Sequence, residues 1–256
     1  MKVRLLDTGI HDAFMNMAID EALLSSSMPV LRFYAWKPAA LSIGYFQSKE
    51  QFNFDALRSN NIDFVRRVTG GNAVLHDVEI TYSFIIDESQ MPASIVESYK
   101  VISKGLLQGL KNLGLDPRMN EEVTKGHKSA VCFQEPSWYE ILVNGKKILG
   151  SAQKRIQGKL LQHGAILIEA DIDTYCSLFK NYSTQMAKEV KKRMTSIATE
   201  RNKKTDYAEV RDAMADGFRT ALNMDIQKSS LTGDEMAAAE TLSRKKYGTA
   251  TWNMKY

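Results

Sequence analysis

A glycine pair preceded by two arginines is the first segment that could do chemistry. In residues 66–76, RRVTGGNAVLH, a strand-like run leads into Gly70-Gly71 and then into a second strand-like run. Paired glycines let a ligand lie against backbone N–H groups, and arginines bind carboxylates, phosphates or acidic partners. A tight connection between strands, flanked by solvated arginines, would produce the same pattern. A P-loop is excluded, because no Gly-Lys-Ser/Thr follows the glycines.

The two cysteines lie in different surroundings. Cys132 belongs to the loop-like segment SAVCFQEPSW, residues 129–138, where it could be a nucleophile or a small buried apolar side chain. Cys176 falls in a predicted helix and is expected to pack in the core. The cysteines are 44 positions apart and form no CxxC pair, which argues against a zinc site and fits reduced thiols.

Lysines after a predicted hairpin turn are the third candidate. Asn144-Gly145 is a strong two-residue turn signal, and strand alternation then sends Lys146 and Lys147 to opposite faces. The lysine on the covered face could stabilise an anion or lower the pKa of a nearby thiol. Two exposed lysines that protect a sheet edge are the alternative. His163, in QHGA at 162–165, is either a ligand-facing or a structural histidine.

The elements that must position these residues read as a mixed sheet followed by helices. Strands are predicted at 1–9, 63–68, 72–76 and 80–86, a hairpin between 30–35 and 40–46, and two more hairpins at Asn144-Gly145 and Gln157-Gly158. Helices are predicted from Asp12, over 93–114, from 205 or 206 to 222, and over 232–247. This pattern favours an α/β (α+β) fold. We expect one domain, 1–256, of which 171–256 is the helical C-terminal portion.

Composition narrows the class of protein. The chain has 256 residues, 44% hydrophobic and 25% charged, with a net charge of +4, which excludes disordered, collagen-like and disulfide-dense chains. No apolar run is long enough to span a membrane, and MKVRLLDTGIHDAF does not resemble a signal peptide, so we expect a cytoplasmic protein. Residues 188–204 carry seven basic and two acidic side chains. They form either a solvated helix face or a landing surface for an acidic protein or nucleic acid.

Three ordered motifs together resemble the lipoate/octanoate ligase–transferase family, which is related to the biotin protein ligases. They are RRVTGGNAVLHD at 66–77, GKKILGSAQKR at 145–155 and LLQHGAILIE at 160–169. The resemblance runs from MNMAIDEALL at 15–24 to KKYGTATWN at 245–253, and it implies a mixed-sheet catalytic domain of the biotin/lipoate-ligase type. Within the family, SAVCFQEPSWYEILVNGKKILG is similar to the LipM-type octanoyltransferase branch, although residues 119–129 are short for that branch.

The resemblance also implies roles for residues. The acyl-thioester cysteine of the family falls on Cys132 and its lysine on Lys147. Arg66 and Arg67 would orient substrate, His76 and His163 would form walls, and the small residues would let the backbone line a narrow acyl slot. The implied substrate-binding residues are Arg66, Arg67, Gly70, Gly71, His76, Gly150, Ser151, Ala152, His163, Gly164 and Ala165. No metal and no cofactor is implied.

The implied activity is octanoyl transfer in the first step of endogenous protein lipoylation. Octanoyl-acyl carrier protein would acylate Cys132, and a lysine of a lipoyl domain, such as glycine cleavage H protein, would accept the acyl group without ATP. A monomer that binds neither nucleic acid nor membranes is expected, with the basic stretch as a docking face for acidic partners. The alternatives are an amidotransferase between lipoyl carriers, an ATP-dependent lipoate ligase, and a non-catalytic module with Cys132 buried.

Overall fold

The computed structural model describes residues 1–120 and 140–256. The strands of these residues are β1 (Lys2–His11), β2 (Val30–Trp36), β3 (Ala40–Ile43), β4 (Asp63–Arg66), β5 (Val74–His76), β6 (Glu79–Asp87), β7 (Pro117–Met119), β8 (Ile141–Val143), β9 (Lys146–Ile156), β10 (Lys159–Leu167) and β11 (Asp225–Ser229). The helices are α1 (Ala13–Ala22), α2 (Phe54–Ser59), α3 (Ile95–Asn112), α4 (Ile172–Ser177), α5 (Thr184–Arg193), α6 (Ile197–Arg201), α7 (Tyr207–Ala221), α8 (Gly233–Leu242) and α9 (Ala250–Asn253). A π-helical turn, Ser243–Tyr247, follows α8.

Local signals place several of these elements where the sequence predicts them. The Asp12 side chain caps α1 by accepting a 2.7 Å hydrogen bond from the Met15 amide. Asn144 and Gly145 both have positive φ, 49° and 75°, as a two-residue hairpin turn requires. Gln157 and Gly158 do the same between β9 and β10. The predicted hairpins at these two turns are confirmed.

The predicted hairpin between residues 30–35 and 40–46 is wrong. The strands form a large sheet in the order β11-β1-β2-β6-β10-β9-β8-β7 and a small sheet in the order β4-β3-β5. β2 pairs with β1 and β6, whereas β3 pairs with β4 and β5. Two strand-like runs around Lys37-Pro38 show that strands exist there, but their pairing depends on segments distant in the sequence.

The C-terminal portion is helical, as predicted, and also contributes a strand. β11 adds to the edge of the large sheet, parallel to β1. Its residues, DIQKS, are mostly exposed, so the run lacks the apolar alternation that announces a half-buried strand. The C-terminal portion of the chain therefore contributes a strand to the same large sheet as the N-terminal half.

Helices cover both faces of the large sheet. α3 and α7 pack on one face with Leu106, Tyr82 and Phe218 in the core, and α1 and α8 pack on the other. α7 approaches α3 so closely that a Cβ on Gly217 would lie 2.3 Å from the Gly109 nitrogen. The small sheet packs with α2, α4 and α5, where Cys176 is buried as predicted. Within residues 1–120 and 140–256, none of the helices combines the length and apolar character needed to cross a membrane.

Candidate active site

A narrow cavity of about 40 Å³ lies between the two sheets, next to α1. β2, β3, β5, β6, β9 and β10 contribute to its walls, together with the loop after β4. Its lining residues are Met17, Tyr34, Trp36, Ser42, Arg67, Gly71, Asn72, Val74, His76, Thr81, Gly150, Ser151, Ala152, His163, Gly164 and Ala165. The structure thus brings together nine of the residues singled out from the sequence, from three separate motifs.

The β9–β10 pair keeps the cavity narrow because its backbones leave no room for larger side chains. Gly164 lies opposite Ser151, and Ala165 lies opposite Gly150. A Cβ on Gly164 would lie 2.4 Å from the Gly150 carbonyl oxygen and 2.7 Å from Ser151 Oγ. Small residues at these positions are therefore a steric requirement, and they leave a slot lined largely by backbone and methyl groups.

Arg67 shapes the glycine loop from inside the cavity wall. Its guanidinium donates to the carbonyl oxygens of Ser42 at 2.8 Å, Gly70 at 2.9 Å and Asn72 at 3.1 Å. Gly71 has a φ of +89°, which a residue with a side chain rarely adopts. Gly70 does not line the cavity, so it contributes through this hydrogen bond to Arg67.

Arg66 does not line the cavity, and its side chain instead holds backbone segments together. It is fully buried, and its guanidinium donates to the carbonyl oxygens of Gly44, Gln47 and Asn253 at 2.7–3.0 Å. Successive strand residues face opposite sides, so only one of the two arginines can face the slot. The structure places Arg67 there.

His163 is held at both ring nitrogens by a buried network. Nε2 lies 2.7 Å from Thr69 Oγ1, and Nδ1 lies 2.9 Å from Asp20 Oδ2. Asp20 also forms a 2.6 Å ion pair with Arg32. Burial alone would raise the pKa of Asp20, but the charges of Arg32 and His163 outweigh it and hold that pKa below its ordinary value.

Asp20, Arg32 and Thr69 form the buried network around His163 in the candidate site, and sequence reasoning missed them. Their signals were present: Asp20 interrupts the apolar face of a helix, and Arg32 interrupts a strand-like apolar run, VLRFYA. Charged residues at such positions are rarely buried unless they are paired. The two anomalies together would have predicted the ion pair.

His76 is the second histidine that lines the cavity, and its ring is neutral. Its ring stacks on Trp36 with centroids 4.0 Å apart, and its Nε2 lies 2.8 Å from Ser42 Oγ. Burial, together with the charge of Arg67, lowers the pKa of His76 well below its ordinary value. The imidazole therefore offers hydrogen bonds and an apolar face rather than a charge.

Lys147 lies beside the cavity as one half of a buried ion pair. Its Nζ is 2.5 Å from Glu140 Oε1, and only 5% of each residue is exposed. A Cβ on Gly150 would lie 3.8 Å from that Nζ, so the ammonium lies next to the cavity wall. Lys146 faces the other way and is half-buried, as strand alternation predicts. Sequence reasoning missed Glu140, the carboxylate across the hairpin.

Cys132 lies outside the described residues, within 121–139. The described residues at the two ends of that segment are joined, because the Asn120 amide donates to the Glu140 carbonyl oxygen at 2.8 Å. The chain therefore leaves and returns next to the partner of Lys147. Within the described ranges, no group of three or more His, Cys, Asp or Glu side chains is arranged to hold a metal ion.

The basic stretch 188–204 covers the second half of α5, all of α6 and the residues that follow α6. Lys191 pairs with Asp173 at 2.6 Å, Lys192 with Glu189 at 2.9 Å, and Arg201 with Glu209 at 2.7 Å. These pairs neutralise part of its charge. Its use as a docking face stays a prediction.

Comparisons with known proteins cover the elements that form the cavity. The family model described as "Lipoyl protein ligase A/B catalytic domain" matches residues 12–219. The chain is 43% identical to Octanoyltransferase LipM of Bacillus subtilis (strain 168) over 98% of both chains. It is 41% identical to Octanoyltransferase LipM of Staphylococcus aureus (strain NCTC 8325 / PS 47) over 96% of both.

Two solved structures have a similar fold. A bipartite lipoate protein ligase from Thermoplasma acidophilum superposes with a TM-score of 0.85 at 28% identity, covering 99% of this chain and 96% of that one. A lipoate-protein ligase A bound with ATP superposes with a TM-score of 0.83 at 29% identity, covering 99% of both chains. The mixed sheet with its flanking helices is common to all three.

Proposed function

Because the chain belongs to the lipoyl protein ligase A/B catalytic domain family, we propose that it is an octanoyltransferase, an acyltransferase of protein lipoylation. The observation that carries this proposal is the narrow slot between the sheets with the buried Lys147–Glu140 pair beside it. A slot whose width is limited at Gly150, Gly164 and Ala165 favours an unbranched acyl chain over a bulkier group. The names of the bacterial relatives support the choice of octanoyl transfer.

Cys132 is the proposed nucleophile. A free thiol with a pKa of about 8.5 is only about 3% thiolate at pH 7. A nearby ammonium lowers that pKa by favouring the charged form, and Lys147 is the candidate ammonium. Support comes from the ends of segment 121–139, which meet beside Glu140.

The proposed reaction has two acyl-transfer steps. In the first, the Cys132 thiolate attacks the thioester of octanoyl-acyl carrier protein, a C–S bond forms to Cys132, and the carrier thiol leaves. In the second, the lysine amine of a lipoyl domain, such as glycine cleavage H protein, attacks that thioester. A C–N bond forms, the C–S bond breaks, and Cys132 leaves as a thiolate, which takes up a proton that the amine loses. The thioester drives amide formation, so ATP is not needed. Backbone N–H groups around Gly70-Gly71 are candidates to receive the oxyanion.

ATP-dependent ligation is the second candidate function. The similarity to a lipoate-protein ligase bound with ATP favours it. In that reaction Lys147 would contact an acyl adenylate and Cys132 would have no covalent role. An amidotransferase, which takes the octanoyl group from another lipoyl carrier, differs from the first candidate only in its donor.

Intact mass measurement separates these functions. The protein is incubated with octanoyl-acyl carrier protein without ATP, as wild type, as Cys132→Ser and as the control Cys176→Ser. We expect one octanoyl adduct on the wild type and the control, and none on Cys132→Ser. No adduct on the wild type refutes the octanoyltransferase proposal; octanoate with ATP, and an octanoylated lipoyl carrier, then test the two alternatives.

A further inference from the structure

A group of aromatic rings lies on the protein surface where the segment after β3 meets the C-terminal residues. Its members are Tyr45, Phe46, Trp252 and Tyr256, and the centroids of neighbouring rings are 4.8–6.0 Å apart. Phe46 is 77% exposed, the highest value among the large apolar side chains in the described part of the chain. Single exposed apolar side chains need no explanation, but a contiguous group of them marks a contact surface.

Two ammonium groups lie against these rings. Lys154 Nζ is 4.7 Å and Lys255 Nζ is 4.9 Å from the centroid of the Tyr45 ring, and Lys255 also donates a 2.9 Å hydrogen bond to the Tyr45 hydroxyl. Neither lysine forms an ion pair with an aspartate or glutamate among residues 1–120 and 140–256. Two like charges held at one ring attract an anionic partner. We call the two lysines and the four rings the aromatic–lysine cluster.

The aromatic–lysine cluster borders the acyl slot. Gly44, which directly precedes Tyr45, packs so closely that a Cβ on it would lie 1.8 Å from the Gly71 carbonyl oxygen. Lys154 follows Ala152 by two residues on β9, so the two side chains share a face of the sheet. Gly71 and Ala152 both line the slot. A partner that covers the cluster therefore lies beside the slot.

The cluster is preformed, because hydrogen bonds fix the C-terminal residues against the segment after β3. The Lys49 amide donates to the backbone oxygen of Tyr256 at 3.0 Å, and Lys49 Nζ donates to the Met254 carbonyl oxygen at 2.9 Å. The Arg66 guanidinium lies 5.3 Å from the centroid of the Tyr256 ring. Docking on this surface therefore orders few side chains, which lowers the entropy cost of binding.

Aromatic rings combined with lysines that lack carboxylate partners fit an acidic protein surface. Aromatic side chains are enriched in the cores of protein–protein interfaces, and complementary charge steers the encounter. Single-stranded nucleic acid also stacks on aromatic rings, but stacking needs open ring faces. Here the Phe46 ring meets the Tyr45 ring edge-on, at 86°, and Lys154 and Lys255 lie over the Tyr45 ring. The arrangement therefore favours a protein.

We propose that the aromatic–lysine cluster is the docking surface for the acidic carrier protein that delivers the octanoyl group, so that its acyl thioester enters the slot beside Gly71. The proposal rests on the proposed function, because that function supplies octanoyl-acyl carrier protein as the first substrate. It assigns the donor to this surface rather than to the basic stretch 188–204, where Lys191, Lys192 and Arg201 are paired with carboxylates.

Acylation by two donors tests the proposal. The enzyme is acylated either by octanoyl-acyl carrier protein or by S-octanoyl-N-acetylcysteamine, a small thioester with the same acyl group and no protein. At low salt, Lys154→Gln/Lys255→Gln and Phe46→Ser should each lower kcat/KM about tenfold with the carrier, through KM, and leave the rate with the small thioester unchanged. The effect of the lysine variant should disappear in about 1 M salt, where charges are screened within about 3 Å. Wild-type rates of the variants with the carrier, or equal slowing with both donors, overturn the proposal.

Matched control variants lie on α3, which covers the face of the large sheet away from α1 and the slot. Lys104→Gln/Lys111→Gln removes two exposed lysines, and Ile95→Ser removes an apolar side chain that is 64% exposed. Both controls should keep wild-type kinetics with the carrier. A tenfold loss in the lysine control would show a non-specific effect of net charge and would overturn the proposal.

Binding without acyl transfer separates this proposal from the proposed function. Acyl carrier protein with a free thiol, a lipoyl domain and a single-stranded oligonucleotide are each titrated into wild type and into Lys154→Gln/Lys255→Gln. We expect the variant to bind the carrier about tenfold more weakly and the lipoyl domain as tightly as wild type does. A loss confined to the lipoyl domain or to the oligonucleotide assigns the cluster to that partner and overturns the proposal. Absence of an octanoyl-enzyme refutes the proposed function, whereas this titration still decides the docking surface.

Discussion

Replacing Glu140 with glutamine measures how strongly the buried ion pair holds Lys147. The two charged groups are 2.5 Å apart, and both side chains are 6% exposed. With an effective dielectric constant of about 20, two unit charges at that separation attract by about 7 kcal/mol, and the cost of removing both from water offsets much of this. Loss of one partner of such a pair costs about 3–5 kcal/mol, because the other charge stays buried. We expect Glu140→Gln to lower the free energy of unfolding by that amount.

A double-mutant cycle in urea tests this reasoning. The set is wild type, Glu140→Gln, Lys147→Met and the double variant, and Glu240→Gln is the control. The Glu240 carboxylate is exposed and only 4.0 Å from Arg244, so the control should stay within about 0.5 kcal/mol of wild type. The double variant should be more stable than the sum of the single changes predicts, by about 0.5–3 kcal/mol. A loss below about 1 kcal/mol for Glu140→Gln, or strict additivity, would refute the buried pair.

Three further predictions concern pH, packing and thiol chemistry. The pKa of His76 in the folded protein is far below its ordinary value of about 6.5, so below that pH the unfolded chain binds more protons than the folded one. The free energy of unfolding therefore decreases as the pH is lowered, by up to about 1.4 kcal/mol per pH unit. The raised pKa of Glu79 acts with the opposite sign, so the check is the difference in unfolding free energy between wild type and His76→Gln. That difference should be constant above pH 7, where it reports the lost contacts of His76, and wild type should lose stability relative to the variant towards pH 5. A difference independent of pH over the whole range would contradict the assignment. Gly164→Ala should place a methyl group against the Gly150 carbonyl oxygen. We expect the variant to lose octanoyl transfer in the mass assay and about 1–3 kcal/mol of stability in thermal unfolding. Wild-type activity would show that β9 and β10 can move apart at this position, and would contradict the steric argument. Cys176, buried and with its pKa raised to about 11, should resist iodoacetamide in the native protein and react in urea; native labelling that persists in Cys132→Ser would contradict this.

Signals that depend on a few neighbouring residues predict the structure well here. The cap at Asp12 and the turn at Asn144-Gly145 need only local backbone geometry, and both are confirmed. The pairing of β2 and β3 depends on β1, β4, β5 and β6, which lie up to about fifty residues away, and the local pattern predicts it wrongly. β11 escapes prediction because an exposed edge strand needs no apolar alternation.

The residues of the candidate site also fall into those that local sequence predicts and those that depend on distant segments. The glycine-rich motifs and Lys147 can be found from residue type and resemblance. The partners of those residues, Glu140, Asp20 and Thr69, come from elements that meet only in the folded chain. Which of two adjacent arginines faces the slot depends on strand phase, and that phase is set by the small sheet.

The buried position of Arg66 has a consequence for the order in which the site is completed during synthesis. All residues that line the acyl slot have been made once residue 165 has been added. The backbone amide and guanidinium of Arg66, however, bond to Asn253, and the Trp252 indole donates to the Arg66 carbonyl oxygen at 2.8 Å. The loop that begins at Arg66 therefore reaches its final form only after Trp252 and Asn253 have left the ribosome, and a nascent chain that already contains every residue of the slot still lacks these hydrogen bonds.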